Sequence, residues 1–251
     1  MNVYNGILAR HQRGEKQLAV LLDPDKISTA DAGDFALSAE SAGVDIILIG
    51  GSLLTSDKLT EVISSVKEKS NVPVIIFPGS IMQVSSKADA ILFLSLISGR
   101  NAEYLIGNHV IVSPILRELN LEPISTGYIL IDSGVPTSAS FMSNSFPIPR
   151  NKPDIAAAHA LAADYLGMKQ LYLEGGSGAQ DPVPNEVIIA ARSVTEMPIW
   201  VGGGIRTAEI AKQKAESGAS VIVVGTHFEK EAGFSQVESF ANEIKKKTYG
   251  K

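Results

Sequence analysis

The strongest constraint on the fold of this chain is a strand–helix alternation that runs along its whole length. Eight short runs rich in Val, Ile and Leu are predicted strands: Leu18–Asp23, Asp45–Ile49, Val74–Phe77, Ala90–Ser95, Ile124–Ile131, Gln170–Glu174, Ile199–Val201 and Ser220–Val224. Each is almost continuously apolar, which is typical of parallel strands covered on both faces. Amphipathic segments lie between most of them, at Ala30–Ala42, Asp57–Lys69, Pro153–Leu166, Val183–Val194 and Thr207–Ser217. The alternation predicts a parallel α/β architecture.

Eight strands in 251 residues match the usual size of a (β/α)8 TIM barrel, so a single barrel domain is expected over residues 1–251. An open doubly wound sheet is the rival architecture, but it accounts less readily for eight strands and a terminal helix.

Two connections between the predicted strands are irregular. Pro78–Asp89, between strands 3 and 4, is short for a crossover helix with two turns, so a short or distorted helix is expected there. Ser133–Lys152 is expected to be a long unstructured loop of functional importance.

Composition excludes several functional classes. The net charge is −5 and no basic stripe occurs, which argues against nucleic acid as a partner. The chain has no cysteine, so thiolate nucleophiles and disulfides are excluded. No apolar run approaches the roughly 20 residues of a transmembrane helix. The amino terminus does not have the pattern of a signal peptide, and a cytoplasmic location is expected.

Glycine-rich turns follow three neighbouring strands. They are Gly175-Gly176-Ser177-Gly178 after the sixth strand, Gly202-Gly203-Gly204 after the seventh and Gly225-Thr226 after the eighth. Glycine lets backbone amides approach an anion closely. TIM barrels commonly bind phosphate with the loops after strands 7 and 8. The three turns therefore predict a phosphate-binding cup.

Acidic residues end two strands at the same rim. Asp23 ends the first strand, and Ser52 follows the second, which suits a Mg²⁺ ion that takes few protein ligands and completes its shell with substrate phosphate and water. Asp25 and Lys26 are equally well explained as capping a turn. Glu174 ends the sixth strand, where a carboxylate acts as a general base toward a substrate hydroxyl or simply hydrogen-bonds it. Tyr172 shares its face, with core packing as the alternative role.

The motifs together resemble a known family. Leu22–Lys26, Ile49–Ser52, Pro147–Pro153, Tyr172–Gly178 and Val201–Arg206 are similar to the motifs of the geranylgeranylglyceryl phosphate synthase family, whose bacterial relatives include heptaprenylglyceryl phosphate synthases. The stretch Ile148–Gly178 looks most like the archaeal-type second group, which some bacteria also have. The other group carries Lys where this chain has Leu21, so Lys26 or Arg206 is expected to compensate.

The resemblance implies a Mg²⁺-dependent prenyltransferase. It would join sn-glycerol 1-phosphate to a prenyl diphosphate, expected to be geranylgeranyl (C20), and release diphosphate. By similarity Asp23 and Ser52 would bind Mg²⁺, and glycerol phosphate would be bound by Tyr172, Leu173, Glu174, Gly175, Gly176, Ser177, Gly178, Gly203, Gly204, Gly225 and Thr226. The resemblance also implies a homo-oligomer, either a dimer or a hexamer, with the helix around Tyr104 at an interface, and transient membrane contact through the lipid product.

A long apolar groove is required for the prenyl chain, and Phe77, Pro78, Ile81, Phe93 and Tyr104 are candidates to line it. Each of these residues, taken individually, is better explained by core packing than by lipid contact. Two other functions share the phosphate cup. One is an isomerase or lyase that acts on a phosphorylated sugar or indole precursor. The other is a barrel that binds a phosphorylated metabolite without turnover.

Overall fold

The computed structural model describes residues 2–225 and 236–246. Its centre is a closed barrel of eight parallel strands in chain order, with the last strand paired to the first. The strands are β1 Gln17–Leu22, β2 Ile46–Ile49, β3 Val74–Ile76, β4 Ala90–Leu96, β5 Glu122–Leu130, β6 Gln170–Glu174, β7 Ile199–Gly202 and β8 Val221–Val224. All eight predicted strands and the TIM barrel are confirmed.

Helices surround the barrel: α1 Val3–Gln12, α2 Thr29–Ser41, α3 Leu59–Lys69, α4 Asn108–Glu118, α5 Ser138–Met142, α6 Pro153–Tyr165, α7 Asn185–Arg192, α8 Ala208–Glu216 and α9 Val237–Lys245. A short π-helical segment, Glu103–Gly107, leads directly into α4. The five helices predicted from amphipathic patterns begin and end within two residues of α2, α3, α6, α7 and α8. In the described residues no helix combines the length and apolar composition that a membrane span requires.

Strand side chains alternate between two packed layers. In β1, Leu18, Val20 and Leu22 face outward and pack with the helices, whereas Ala19 faces the barrel interior. The interior is filled by side chains that include Tyr172 and Trp200, and Ile7 of α1 joins them at the amino-terminal end. A barrel packed in this way leaves its carboxyl-terminal end as the place for a ligand.

The connection between β3 and β4 is irregular, as predicted, but the expected short or distorted helix is wrong. Only turns and bends occur between Phe77 and Asp89. The chain is too short there for a helix and two turns. Gly79 also packs against backbone, because a Cβ on it would lie 2.3 Å from the Gly51 carbonyl oxygen and 2.6 Å from that of Ser52. This connection therefore leaves a gap in the outer layer of helices.

The loop after β5 is more regular than expected. It contains α5, whose first turn is held by a capping box between Thr137 and Ser140. Ile148 then returns to form a parallel bridge with Ile131, and its N–H donates to the Leu130 carbonyl oxygen at 2.8 Å. The expectation of a long unstructured loop is wrong for these parts, because local capping and one added bridge satisfy backbone groups that a bare loop would leave to water.

Candidate active site

A cavity of about 580 Å³ opens at the carboxyl ends of the strands. Its floor is made of aromatic side chains from the barrel interior. Tyr172 lies 5.1 Å from Phe77 and 5.5 Å from Tyr128 between ring centroids, and 6.2 Å from Trp200 below. These rings close the barrel under the cavity, so a ligand does not enter the barrel interior.

Glu174 lies at this floor and is buried, with 6% of the residue exposed. It accepts a hydrogen bond from the Gly176 N–H at 2.5 Å, and the hydroxyls of Tyr172 and Tyr128 also bond to its carboxylate. Burial raises the pKa of Glu174 to about 7, although these three donors work in the opposite direction. A carboxyl group that titrates near neutral pH is well matched to general base catalysis.

Tyr128 was missed by the sequence analysis. It lies on β5 directly opposite Tyr172 on β6, so the two phenol rings meet across neighbouring strands. Burial raises the pKa of both phenols well above 10, and the adjacent Glu174 charge raises them further. Both therefore remain hydrogen-bond donors to the carboxylate.

The glycine turns form one side of the rim. Gly176, Gly178, Gly203 and Gly204 all have positive φ angles, between +72° and +100°. A Cβ on Gly203 would lie 2.6 Å from both Glu174 Oε1 and the Gly176 nitrogen, so no side chain fits there. Within residues 2–225 and 236–246, the N–H groups of Gly203 and Gly204 donate to no other group. Unpaired amides in such turns are typical of anion-binding sites.

Two arginines hold the loops of this rim together. Arg206 donates to the carbonyl oxygens of Ala179 (2.7 Å) and Gln180 (2.8 Å), and Arg150 pairs with Asp181 at 2.9 Å. The loops after β5, β6 and β7 are thereby tied together. Arg206 also lines the cavity. Its guanidinium, however, is engaged by the two bonds to the loop after β6. The structure therefore gives no support to the expectation that Arg206 replaces the phosphate contact of the Lys that the other group has at the position of Leu21.

Asp23 and Ser52, which follow β1 and β2, line the same cavity. Asp23 Oδ2 pairs with Lys26 Nζ at 2.9 Å, and its Oδ1 accepts a bond from the Asp25 N–H at 3.1 Å. Asp25 itself faces away, because its carboxylate binds Thr55 and Ser56, whose hydrogen bonds lower its pKa. Asp25 therefore has a structural role in the loops, in agreement with the alternative interpretation that it caps a turn.

The apolar part of the cavity lies where the outer layer lacks a helix. All five candidate groove residues line it: Phe77, Pro78, Ile81, Phe93 and Tyr104. Both faces of β4 contribute, since Leu92 and Leu94 come from the inner layer and Ile91 and Phe93 from the outer layer. The cavity therefore passes from the barrel mouth to a slot between β4 and α4.

Most of the predicted site residues thus meet in one cavity: Asp23, Ser52, Tyr172, Glu174, Gly176, Ser177, Gly178, Gly203, Gly204 and Gly225. Two others do not line it. The Leu173 side chain packs in the outer core, and Gly175 is buried beneath the rim, where its N–H donates to the Gly202 carbonyl oxygen. Thr226 lies outside the described residues.

Comparisons with known proteins agree with this arrangement. The geranylgeranylglyceryl phosphate synthase of Chitinophaga pinensis is 48% identical over 91% of each chain, and that of Thermococcus kodakarensis is 42% identical over 94% of this chain and 93% of the relative. The crystal structure of (S)-3-O-geranylgeranylglyceryl phosphate synthase from Thermoplasma acidophilum, in complex with sn-glycerol-1-phosphate, superposes with a TM-score of 0.92. It is 36% identical and covers 98% of this chain and 99% of its own.

More distant structures share only the fold. Thiamine phosphate pyrophosphorylase from Pyrococcus furiosus has a TM-score of 0.58 at 14% identity. The PcrB family model, in contrast, matches residues 11–247, nearly the whole chain. The resemblance read from the sequence motifs is confirmed, and the chain belongs to the PcrB family, with geranylgeranylglyceryl phosphate synthases among its relatives.

Proposed function

We propose that this chain is a prenyltransferase that joins sn-glycerol 1-phosphate to a prenyl diphosphate, with geranylgeranyl (C20) as the expected prenyl group. The observation that carries the proposal is one cavity with an anion-binding glycine rim, a buried glutamate, an acidic residue and an apolar slot. A hydroxyl acceptor with a phosphate and a long apolar donor with a diphosphate need these four parts together. Relatives named geranylgeranylglyceryl phosphate synthase support the same reaction.

The acceptor is held between the glycine rim and the aromatic floor. The amides of Gly203 and Gly204, which donate to no group in the part of the chain that the structure describes, bind its phosphate, and Ser177, Gly178 and Gly225 complete the rim. The substrate hydroxyl then lies against Glu174, which accepts its proton as the new C–O bond forms at C1 of the prenyl group. The C1–O bond to diphosphate breaks in the same reaction, and the diphosphate leaves. Prior orientation of the hydroxyl supplies much of the rate.

The Asp23 side of the cavity suits a Mg²⁺ ion. The described residues contain no group of three or more His, Asp and Glu side chains that could hold a metal ion, so we assign Asp23 as the acidic ligand and Ser52 as a second oxygen donor. One carboxylate is enough for Mg²⁺ when diphosphate and water fill the other positions. Bound there, Mg²⁺ would stabilise the charge of the departing diphosphate. Lys26, which pairs with Asp23, adds positive charge at the same place.

An extraction assay tests the proposal. The protein is incubated with Mg²⁺, labelled sn-glycerol 1-phosphate and prenyl diphosphates of several lengths, and the organic phase is counted. Labelled lipid that disappears with EDTA is the expected result. Binding of glycerol phosphate without product would favour a phosphometabolite-binding barrel. Absence of both would favour an isomerase or lyase with another substrate.

The variant Asp23→Ala tests whether Asp23 acts on the donor and not on the acceptor. The variant is expected to lose turnover and to keep its affinity for glycerol phosphate, because Asp23 follows β1, whereas Gly203 and Gly204, whose amides are assigned to the phosphate, follow β7. Steady-state kinetics and calorimetric titration of glycerol phosphate measure the two effects. Equal loss of both would contradict the assigned roles.

A cytoplasmic location and a homo-oligomer are two further parts of the proposal, and the second rests on the family resemblance. Apolar side chains exposed along the segment that follows Tyr104 support an interface there: Ile106 is 61% exposed, Val110 65% and Ile111 52%. Light scattering of the purified protein measures the oligomeric state.

A further inference from the structure

The helix-free connection between β3 and β4 contains a buried glutamine, Gln83. Only 3% of it is exposed, although its neighbours Ile81 and Val84 line the cavity. Its side-chain amide makes two hydrogen bonds to one residue in the adjoining loop. Nε2 donates to the Gly51 carbonyl oxygen at 2.8 Å, and the Gly51 N–H donates to Oε1 at 3.3 Å. Gln83 thus fixes both backbone polar groups of Gly51.

Gly51 is placed between this glutamine and the candidate metal ligand. A Cβ on Gly51 would lie 3.6 Å from Asp23 Oδ1, so the carboxylate packs directly beside it. The preceding Gly50 has a φ of +151°, and a Cβ there would lie 2.1 Å from the Phe77 carbonyl oxygen. The turn that leads to Ser52 therefore has no side chains of its own to set its position. It depends on the neighbouring loop for that.

We propose that Gln83 is a positioning residue for the donor diphosphate. By holding Gly51 on both sides of its Cα, it keeps the turn that carries Ser52 against Asp23, where the diphosphate is bound. Gln83 acts through Gly51, to which its side-chain amide makes two hydrogen bonds. This inference rests on the proposed function, and it adds a residue that links the apolar slot to the polar end of the donor.

Gln170 provides a matched control. It is also fully buried and also makes two side-chain hydrogen bonds, to Thr126 Oγ1 at 3.0 Å and from Trp200 Nε1 at 2.9 Å. It lies at the first residue of β6, at the amino-terminal end of the barrel and away from the cavity rim. Replacing either glutamine by Met removes two buried hydrogen bonds at nearly constant volume, so both changes lower stability.

The experiment compares Gln83→Met with Gln170→Met at a temperature where both are folded. We expect Gln83→Met to raise the KM for prenyl diphosphate about tenfold, since small displacements of a binding group are costly. Its dissociation constant for glycerol phosphate, measured without donor, is expected to stay unchanged. Gln170→Met is expected to lower the melting temperature and to leave both constants at their original values. Matching kinetic profiles for the two variants would overturn the proposal.

Donors of different length distinguish positioning of the diphosphate from shaping of the slot. Gln83→Met is expected to raise the KM by the same factor for C10 and C20 donors, because the diphosphate is common to both. A penalty that grows with chain length would show that Gln83 merely supports the slot wall, and would overturn the proposal.

A second variant covers the case in which Gln83→Met does not fold. Gln83→Glu keeps the shape of the side chain and loses the bond to the Gly51 carbonyl oxygen, so it is expected to raise the donor KM in the same way. If neither variant folds, Gln83 is structural and the proposal fails. A wild-type protein that makes no lipid with any donor would instead reject the proposed function itself, which keeps the two failures distinct.

Discussion

Glu174 combines deep burial with three hydrogen-bond donors. Burial favours the neutral carboxyl group, whereas the Gly176 amide and the two phenols favour the carboxylate, and burial prevails. The result is a group that is charged above about pH 7 and neutral below it. A carboxyl group that acts as a general base does so only in its charged form.

The pH dependence follows with a definite sign. Because the pKa of Glu174 is raised to about 7, kcat/KM is expected to fall as the pH drops through 7, approaching tenfold per pH unit. Glu174→Gln is expected to lower kcat by about 100-fold or more, since general base catalysis typically contributes 10²–10⁴-fold, and to abolish this acidic limb. Steady-state rates between pH 5.5 and 9 provide the measurement.

Glu122→Gln is a suitable control for this experiment. Glu122 lies at the other end of the barrel, where it accepts hydrogen bonds from the Val3 and Tyr4 N–H groups at the start of α1. Its removal is expected to leave the pH profile unchanged. An unaltered rate in Glu174→Gln would remove Glu174 as the base.

Residues at strand ends were predictable from the sequence, and their partners were not. Asp23, Glu174 and the glycines stand out because each directly follows an apolar run. Tyr128 was missed because its role depends on lying opposite Tyr172 across two strands, and nothing local marks that pairing. Leu173 was included in the site because it lies within the motif Tyr172–Gly178. Strand alternation alone predicts that its side chain points outward, away from the side chains of Tyr172 and Glu174.

At the scale of elements, the β3–β4 connection is held by contact between backbones. Gly79 packs on the carbonyl oxygens of Gly51 and Ser52, and Gly50 packs on that of Phe77. A short link with these contacts takes the place of a complete crossover helix. The position of the turn that carries Ser52 therefore depends on a glycine in a different loop.

Gly79→Ala is expected to disturb that turn. The added methyl group meets backbone atoms that have no rotamer to change, so the loops must separate. We expect a loss of stability of about 1–3 kcal/mol and a higher KM for prenyl diphosphate, as measured by thermal unfolding and kinetics. Gly6→Ala serves as the control, because nothing lies within 4 Å of its Cβ position in α1 and Ala favours a helix. Equal behaviour of the two variants would contradict the backbone contact.

Elements were predictable where burial dominates. Parallel strands covered on both sides give uninterrupted apolar runs, which is why all eight were found. Helix α1 gave no comparable signal, since Ile7 is its only buried residue and Gly6 lies within it. The connection between β3 and β4 was recognised as too short for a regular crossover helix. The glycine contacts that hold it could not be predicted, because they form between two loops that are distant in the sequence.

At the scale of the whole molecule, stability and chemistry occupy opposite ends of the barrel. Asp45, before β2, binds Arg10 of α1, the Leu18 N–H (2.9 Å) and Lys245 of α9 (2.8 Å). Its side chain is 6% exposed. One carboxylate thereby joins the first and last helices to the barrel at the end away from the cavity.

Asp45→Ala is expected to lower stability and spare catalysis. Loss of hydrogen bonds to charged groups costs about 2 kcal/mol, which corresponds to a melting temperature roughly 5 °C lower for a domain of this size. kcat and both KM values at 25 °C are expected to remain unchanged. Asp34→Ala removes a carboxylate that is 68% exposed and paired with Lys69, and should change neither property. A kinetic defect in Asp45→Ala would show that the two ends are coupled.

The slot between β4 and α4 has a consequence for the barrel itself. In other sectors a helix covers the outer surface of the sheet, whereas no helix follows β3, and Ile91 and Phe93 of β4 line the slot. Under the proposed function, the hydrocarbon tail of the donor supplies that missing cover for as long as it is bound. The lipid precursor then serves as a temporary structural element of the enzyme, and the length it can have is set outside the ring of strands, where the diameter of the barrel imposes no limit.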